Sequence, residues 1–314
     1  MKTILEIKKL SKTYKTQFPF KTFNAVNSIS FDIKENEVFG FLGPNGAGKS
    51  TTLKMIMNLI KPTFGEIKVM DGSTRDIEVR KKIGFLPENP SFYPFLSAYE
   101  TLQMICNLYG MDKNIHDDRI RTMLSLVGLK ESMFNSTGTF SKGMIQRLGM
   151  AQAIINDPEL VILDEPMSGL DPIGRKELKD IILMMKRRGK TVLFSSHILP
   201  DIEMLADKVC VINKGSIVGI GYVQDIIKRE LREIDIEAQF ADEIPEELMK
   251  FKNEFKFLSI HENKIFITVE NEEFAEKISA VIKLKNGRVL SYQPREGKLE
   301  EYFMKLMQKD EEVK

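Results

Sequence analysis

The stretch Phe41–Thr52 reads F-L-G-P-N-G-A-G-K-S-T-T, and it decides the fold class of this chain. Its central part, Gly43–Ser50, fits the phosphate-binding loop pattern G-x-x-x-x-G-K-S. A strand-like run, Glu37–Leu42, precedes it and a helical pattern at 50–60 follows, which is the context that the pattern requires. The glycines allow successive backbone N–H groups to turn inward around phosphate oxygens. The stretch therefore predicts a nucleotide-binding α/β domain.

Two side chains of this loop have defined chemistry. Lys49 is placed to reach the β- and γ-phosphates of a nucleotide, and the Ser50 hydroxyl is placed to hold Mg²⁺. The helix that begins near Ser50 adds the positive end of its dipole. A glycine-rich turn without a function is the alternative, but the strand–loop–helix context argues against it.

A second predicted strand ends in two carboxylates. Leu160–Glu165 reads L-V-I-L-D-E, as expected for a buried strand that ends at the edge where open α/β sheets bind ligands. We expect Asp164 to bind Mg²⁺, directly or through water, and Glu165 to polarise the attacking water as a general base. Such a run can also be a simple strand end, but its position after a phosphate-binding loop favours the functional interpretation.

A histidine ends the next predicted strand, in the sequence S-S-H at Ser195–His197. A lone histidine at a strand end is usually structural. This one would lie on a strand beside the two carboxylates, with its imidazole toward the γ-phosphate. The stretch Ser168–Asp171, S-G-L-D, is turn-forming and lies between the two strands.

The helix predicted over 142–156 has an unusual start. Ser141 is an ordinary N-cap candidate, but Lys142 occupies the first turn, where carboxylates are favoured. Open N–H groups next to a hydroxyl, a lysine and Gly143 favour an anion. Two interpretations therefore remain, an N-cap alone or an anion-binding site.

Strands alternate with helices through residues 1–222, which predicts an α/β core with a mostly parallel sheet. The strand-like stretches at 4–10 and 26–33 have hairpin-like spacing and predict an antiparallel edge sheet. A helical subdomain is predicted at about 88–156. The pattern changes after this domain, and residues 223–314 are predicted to form a small α+β accessory domain.

Composition and charge exclude several classes of protein. The 314 residues are 42% hydrophobic and 29% charged, and no apolar run approaches the ~20 residues of a membrane span. Cys106 and Cys210 lie far apart, and the three histidines are scattered, so neither a disulfide framework nor a zinc centre is predicted. Residues 1–222 carry a net charge of +6 and residues 223–314 carry −5, an asymmetry too mild to indicate nucleic-acid binding.

With these elements in order, residues 1 to about 222 resemble the nucleotide-binding subunit of an ABC transporter. The matching motifs are the Walker A loop at Gly43–Thr51, the signature at Phe140–Met144, Walker B at Leu160–Glu165, the D-loop at Ser168–Asp171 and the switch histidine His197. Tyr14 resembles the aromatic residue that stacks on adenine, although an apparent insertion at 16–24 follows it. A surface aromatic residue on an edge strand is the alternative for Tyr14.

The resemblance implies an ATPase that uses ATP and Mg²⁺ and works as a head-to-tail dimer, in which Ser141 and Gly143 of one copy grip the ATP bound to the other. The implied catalytic residues are Glu165, His197 and Lys49. The implied ATP contacts are Tyr14, Gly43, Pro44, Asn45, Gly46, Ala47, Gly48, Lys49, Ser50, Thr51, Glu88, Ser141, Gly143 and Asp171. The implied Mg²⁺ contacts are Ser50, Asp164 and Glu88.

Two residues or motifs differ from the common family pattern and indicate a particular subfamily. The signature reads F-S-K-G-M in place of L-S-G-G-Q, and Glu88 stands where the family has the Q-loop glutamine. A carboxylate can coordinate Mg²⁺ but donates no hydrogen bond when ionised, and a turn residue between prolines is the alternative for Glu88. With the C-terminal appendage, these departures resemble bacterial ATPases that pair with ABC-2-type membrane subunits and export drugs, peptides, ions or lipids. Phe92, Tyr93 and Phe95 would then line a groove for a helix of the membrane subunit, or else form the core of the helical subdomain.

The resemblance further implies two kinds of partner and no nucleic acid. One is a separately encoded integral-membrane permease, and the other is a second copy of the chain or a paralogous ATPase. The chain would be cytoplasmic and peripheral on the inner face of the cell membrane; its first ten residues lack a signal-peptide core. The alternative is a non-transport ABC ATPase that acts as a nucleotide-dependent regulatory switch with a soluble partner.

Overall fold

The computed structural model describes residues 2–15, 22–230, 233–294 and 299–312. The chain forms two compact units, one of Met1–Tyr222 with Asp310–Lys314 and the other of Val223–Lys309. Residues 16–21 of the apparent insertion after Tyr14 lie outside the described residues.

The helices and strands follow the chain in this order. The first unit contains β1 (Thr3–Lys15), β2 (Thr22–Lys34), β3 (Val38–Leu42), α1 (Lys49–Ile56), β4 (Phe64–Val69), α2 (Ile77–Lys81), β5 (Ile83–Leu86), α3 (Ala98–Tyr109), α4 (His116–Leu126), α5 (Lys142–Ile154), β6 (Leu160–Leu163), α6 (Pro172–Arg187), β7 (Thr191–Ser196), α7 (Leu199–Leu205), β8 (Lys208–Asn213) and β9 (Ser216–Tyr222). Then come α8 (Val223–Glu230), β10 (Ile234–Gln239), α9 (Glu246–Met249), β11 (Phe257–His261), β12 (Lys264–Val269), α10 (Glu272–Leu284), β13 (Arg288–Pro294) and α11 (Leu299–Glu312).

A six-stranded sheet with the order β5-β6-β7-β3-β8-β9 forms the centre of the first unit. Its pairs are parallel except that of β8 with β9. Every residue of β3, β6 and β7 is buried, as expected for strands covered on both faces. The predicted mostly parallel α/β core is therefore confirmed. The three strands are neighbours, so the segments that follow their carboxyl ends lie side by side.

The leading strands form a separate antiparallel sheet with the order β2-β1-β4. The predicted antiparallel edge sheet is thus confirmed, and β4 is a third strand that the sequence did not predict. The two sheets share a core in which Phe31 of β2 stacks on Phe39 of β3, with 5.3 Å between ring centroids. This packing holds the β1–β2 hairpin beside the phosphate-binding loop.

Helices α3, α4 and α5 lie within residues 88–156, and α5 packs closely against β5. A Cβ atom at Gly84 would lie 1.8 Å from the carbonyl oxygen of Ala153, and one at Gly149 would lie 2.6 Å from Leu86 and 3.1 Å from Pro90. No side chain fits at either glycine. The helix therefore rests directly on the strand and on the loop that carries Pro90.

The second unit is a four-stranded antiparallel sheet with the order β11-β12-β10-β13. Helix α10 packs on this sheet, and its Ile278 joins a buried cluster with Ile236 and Ile267. Alternating residues of β10 face this cluster, which explains the period-two pattern of that strand.

Candidate functional site

A cavity of about 350 Å³ borders the segments that follow β3, β5 and β6, together with the β1–β2 hairpin. Its lining residues are Tyr14, Phe23, Ala25, Pro44, Asn45, Gly46, Gly48, Lys49, Ser50, Thr51, Glu88 and Glu165. All of them except Phe23 and Ala25 are residues that the sequence analysis assigns to the site.

Two glycines of the phosphate-binding loop have positive φ angles. Gly46 has a φ of +79° and Gly48 a φ of +107°, and a Cβ atom at Gly48 would lie 2.5 Å from the carbonyl oxygen of Ala25. Gly48 is the N-cap of α1, no side chain caps this end, and the first turn contains no acid. The first N–H groups of α1 are therefore available to a phosphate.

Lys49 is buried in the loop, with only 5% of its surface exposed. Its ammonium donates hydrogen bonds to the carbonyl oxygens of Gly43, at 2.6 Å, and Pro44, at 3.2 Å. It also lies 3.1 Å from Oε1 of Glu165, forming a buried ion pair. That contact lacks hydrogen-bond geometry, and Oε1 has no hydrogen-bond partner among the described residues. The carboxylate oxygen thus retains lone pairs that can bind a water molecule.

Asp164 accepts two hydrogen bonds through one oxygen. Ser50 Oγ donates to its Oδ1 at 3.0 Å, and Ser195 Oγ donates to the same atom at 2.8 Å. Burial raises the pKa of Asp164; the two hydroxyls oppose this, and the negative charges of Glu88 and Glu165 add to it. A cation beside these oxygens would reverse the effect and hold the carboxylate ionised.

This set of oxygens fits Mg²⁺. The ion prefers carboxylate and hydroxyl oxygens, and it completes its shell with water and substrate phosphates. Within the described part of the chain, no cluster of three or more His, Cys, Asp and Glu side chains could hold a metal by itself. Ser50 and Asp164 would therefore share the ion with a nucleotide, and Glu88 lines the same cavity as Ser50.

Glu165 lines the cavity, whereas His197 and Asp164 do not border it directly, and His197 contacts the Glu165 carboxylate. His197 Nδ1 lies 2.9 Å from Oε2 of Glu165, so the imidazole donates to the carboxylate when Nδ1 is protonated. The Glu165 backbone is left-handed, with a φ of +47°, which is unusual outside glycine. The Glu165 side chain is 9% exposed, whereas that of His197 is 42% exposed. Lys49, Glu165 and His197 thus form a continuous chain of contacts.

Two aromatic rings border the open end of the cavity. Tyr14 and Phe23 are direct cross-strand partners on β1 and β2, and they are 38% and 58% exposed. The Lys12 ammonium lies 5.1 Å from the centroid of the Tyr14 ring and occupies one approach to it. Phe23 is a candidate nucleobase contact that the sequence analysis missed. The hairpin register that pairs it with Tyr14 is the signal that could have identified it.

Ser141, Gly143 and Asp171 do not line this cavity. Ser141 caps α5 by accepting a hydrogen bond from the N–H of Met144 at 3.3 Å. Asp171 caps α6 by accepting one from the N–H of Gly174 at 2.9 Å. Within one chain these residues therefore start helices.

The aromatic loop before α3 is exposed. Tyr93 is 56% and Phe95 is 74% exposed, their ring centroids lie 5.7 Å apart, and Phe92 is half-buried. Tyr93 and Phe95 are therefore not core residues of the helical subdomain. In the part of the chain that the structure describes, no helix has the length and apolarity that crossing a membrane requires.

Comparison with known proteins identifies relatives. The family model described as "ABC transporter" matches residues 26–168. The ABC transporter ATP-binding protein all4389 of Nostoc sp. is 34% identical over 96% of this chain and 89% of its own length. The bacitracin transport ATP-binding protein BcrA of Bacillus licheniformis is 35% identical over 98% of both chains. The dimeric ATP-binding cassette MJ0796, solved in a post-hydrolysis state with ADP and Pi, has a TM-score of 0.65 and 25% identity over 70% of this chain and 99% of its own.

Proposed function

The chain belongs to the family of ABC transporter ATP-binding proteins, and we propose that it powers an exporter by hydrolysing ATP between two copies of itself. ATP binding and hydrolysis follow from its family. The observation that carries the proposed residue roles is that the Glu165 carboxylate, in a cavity at a phosphate-binding loop, contacts Lys49 through one oxygen and His197 through the other.

Lys49 exchanges its partner when ATP binds. The β- and γ-phosphates replace the Glu165 carboxylate at the ammonium, and the carbonyl oxygens of Gly43 and Pro44 hold the lysine in place meanwhile. The open N–H groups at the start of α1 bind the phosphate oxygens. Binding therefore releases Oε1 of Glu165 toward the γ-phosphate.

Mg²⁺ neutralises charge on the β- and γ-phosphates in this type of reaction. Ser50 and Asp164 are the residues that would hold it, since the serine hydroxyl and the carboxylate already meet at 3.0 Å. Ser50 would then rotate its hydroxyl hydrogen away from the ion. Glu88 is the third candidate contact because it lines the same cavity.

Glu165 accepts the proton of the attacking water, as a general base. His197 restrains the Glu165 carboxylate through the 2.9 Å contact, and its exposed side leaves the imidazole free to meet the γ-phosphate. The lysine, the base and the histidine thereby surround the bond that breaks.

A second copy completes the site. The signature residues Ser141 and Gly143 lie outside the cavity of their own chain, next to the D-loop turn, where a Cβ atom at Gly169 would lie 2.8 Å from the Lys142 ammonium. The similarity to the dimeric MJ0796 cassette supports a dimer, and head-to-tail pairing is the arrangement that would bring this surface to the partner's ATP. Sedimentation of the Glu165→Gln variant with ATP should show a dimer that disappears without nucleotide. A monomer under both conditions would refute the pairing.

The exposed Tyr93 and Phe95 rings support a protein partner at this loop, because large aromatic side chains are typical of interface anchors. The similarity to BcrA over nearly its full length supports the export of a drug or peptide. We expect a multi-spanning membrane subunit to co-purify with the tagged chain from gently solubilised native membranes. A soluble partner or ribosomes in its place would refute the exporter and favour a regulatory switch.

Paired variants make this test specific. Tyr93→Ser with Phe95→Ser should lose the membrane subunit and keep ATP binding. Leu108→Ser on α3, a residue that is 76% exposed, should retain both. If the two preparations capture the same membrane protein equally, the aromatic loop is not the contact.

A further inference from the structure

Ser195 hydrogen-bonds to both of the acidic residues that follow β6, Asp164 and Glu165. It is fully buried at the end of β7, and its hydroxyl makes two hydrogen bonds. Ser195 Oγ accepts from the backbone N–H of Glu165 at 2.8 Å and lies 2.8 Å from Oδ1 of Asp164. A serine hydroxyl carries a single hydrogen, so it accepts from the N–H and donates to the carboxylate.

The bond to Glu165 holds a backbone that would otherwise relax. Glu165 has a φ of +47°, a conformation that a side chain disfavours and that persists only when its surroundings impose it. Its N–H is buried, and Ser195 supplies the acceptor that this N–H needs. The direction in which the Glu165 side chain leaves the main chain depends on this conformation. The hydroxyl of Ser195 therefore fixes where the carboxylate meets Lys49 and His197.

We propose that Ser195 is a positioning residue for ATP hydrolysis, which sets the location of the Glu165 carboxylate without touching substrate. This inference rests on the proposed role of Glu165 as general base. It differs from a purely structural role, because removal of the hydroxyl should slow the chemical step and leave nucleotide binding nearly intact.

The chain contains a matched control on the same strand. Thr191 begins β7, is buried, and its hydroxyl accepts at 3.1 Å from the N–H of Asn36, which also has a positive φ, +62°. Thr191→Val removes an equivalent hydrogen bond at the end of the strand away from the cavity. Any general loosening of β7 should appear in this variant too.

The experiment compares full-length Ser195→Ala and Thr191→Val with the wild type at saturating Mg²⁺. We expect kcat of Ser195→Ala to fall about 10- to 100-fold, as is typical when a supporting hydrogen bond at a reactive centre is removed. Its Kd for ATP, measured without Mg²⁺ to prevent turnover, should change by less than about threefold, since the phosphate loop is untouched. Thr191→Val should hydrolyse ATP at the wild-type rate.

A double-mutant cycle identifies the partner through which Ser195 acts. In the Glu165→Gln background, Ser195→Ala should cause almost no further loss in single-turnover rate, because the base that it positions is already absent. A further loss equal to that in the wild type would overturn the inference. If Ser195→Ala does not fold, Ser195→Cys is tested instead. A thiol donates and accepts hydrogen bonds only weakly, so this variant should have a reduced kcat and an ATP affinity equal to that of the wild type.

The remaining outcomes are equally decisive. A wild-type kcat in Ser195→Ala, a parallel loss of ATP affinity, or an equal loss of kcat in Thr191→Val would each overturn the positioning role. A wild-type protein that binds but does not hydrolyse ATP would instead overturn the proposed function itself. The two failures are therefore distinguishable.

Discussion

Replacement of Glu165 by glutamine tests the centre of the proposed chemistry, because it removes the base and keeps the shape of the side chain. Its Oε2 meets His197 at 2.9 Å and its Oε1 meets Lys49 at 3.1 Å, and an amide fits the same space. A positioned general base typically contributes about 10²- to 10⁴-fold to a rate. We expect kcat of Glu165→Gln to fall by that factor, measured by phosphate release at saturating ATP and Mg²⁺.

The same substitution should strengthen ATP binding. In the wild type, Lys49 must leave the Glu165 carboxylate to bind the phosphates. In the variant it leaves only a neutral amide, so less attraction is lost when ATP binds. The net attraction of an ion pair, after desolvation, is on the order of 1 kcal/mol, and its loss in the variant corresponds to about fivefold in affinity. Calorimetric titration with ATP in the absence of Mg²⁺ should therefore give a Kd about fivefold lower in Glu165→Gln.

The control for this prediction is Glu37→Gln. Glu37 directly precedes β3, whereas the phosphate-binding loop follows the other end of that strand. Glu37 is 6% exposed and accepts a hydrogen bond from the Lys34 N–H at 2.8 Å, and burial raises its pKa, so a neutral amide replaces it at little cost. Its kcat and Kd should equal those of the wild type. Wild-type hydrolysis by Glu165→Gln would refute the general base, and weaker ATP binding would refute the exchange at Lys49.

Three further substitutions test other walls of the cavity. Lys49→Ala should weaken ATP binding by at least about tenfold, since it removes a charged hydrogen-bond donor worth about 1.5–3 kcal/mol; unchanged affinity in calorimetry would contradict the loop assignment. Glu88→Gln should keep or raise the hydrolysis rate but need more Mg²⁺ to reach it, because the amide oxygen can still coordinate the ion while the negative charge of the carboxylate is lost. Titration of the rate with Mg²⁺ measures this, and misfolding of the variant would favour a turn role for Glu88. Phe23→Ala should weaken ATP binding at least about fivefold, as expected for a lost stacking contact of about 1–3 kcal/mol. In the same titration Phe64→Ala, exposed to a similar extent on β4, should have no effect; equal effects would exclude stacking by Phe23.

Local signals made much of the first unit predictable. The phosphate-binding loop and the run before Asp164 are contiguous in sequence, and each carries its own strand, turn or helix signal. Buried strands such as β6 read as unbroken apolar runs, so the mostly parallel sheet followed from the pattern. The separate antiparallel sheet was only partly foreseen, because its strand β4 alternates exposed and half-buried residues and shows no strong apolar periodicity.

The site residues that the sequence did not reveal reach the site through contacts between segments that lie far apart along the chain. Ser195 and Glu165 are joined by the pairing of β7 with β6, which no local pattern encodes. Phe23 reaches the cavity because its register places it opposite Tyr14. The sequence also did not decide whether Tyr93 and Phe95 line a groove on the surface or belong to the core of the helical subdomain. Composition alone does not determine whether the rings of a loop face solvent or the interior.

The two glycines between α5 and β5 have a mechanical consequence. At Gly84 the strand contacts the backbone of Ala153 in the helix, and at Gly149 the helix backbone contacts the side chains of Leu86 and Pro90, so no space for compression remains between them. The exposed rings at Tyr93 and Phe95 follow the loop that carries Pro90, and Ser141 begins the helix that rests on it. We therefore expect a displacement of the aromatic loop to move Ser141 at the start of α5 by a similar distance, because the loop, β5 and α5 would shift as one rigid body.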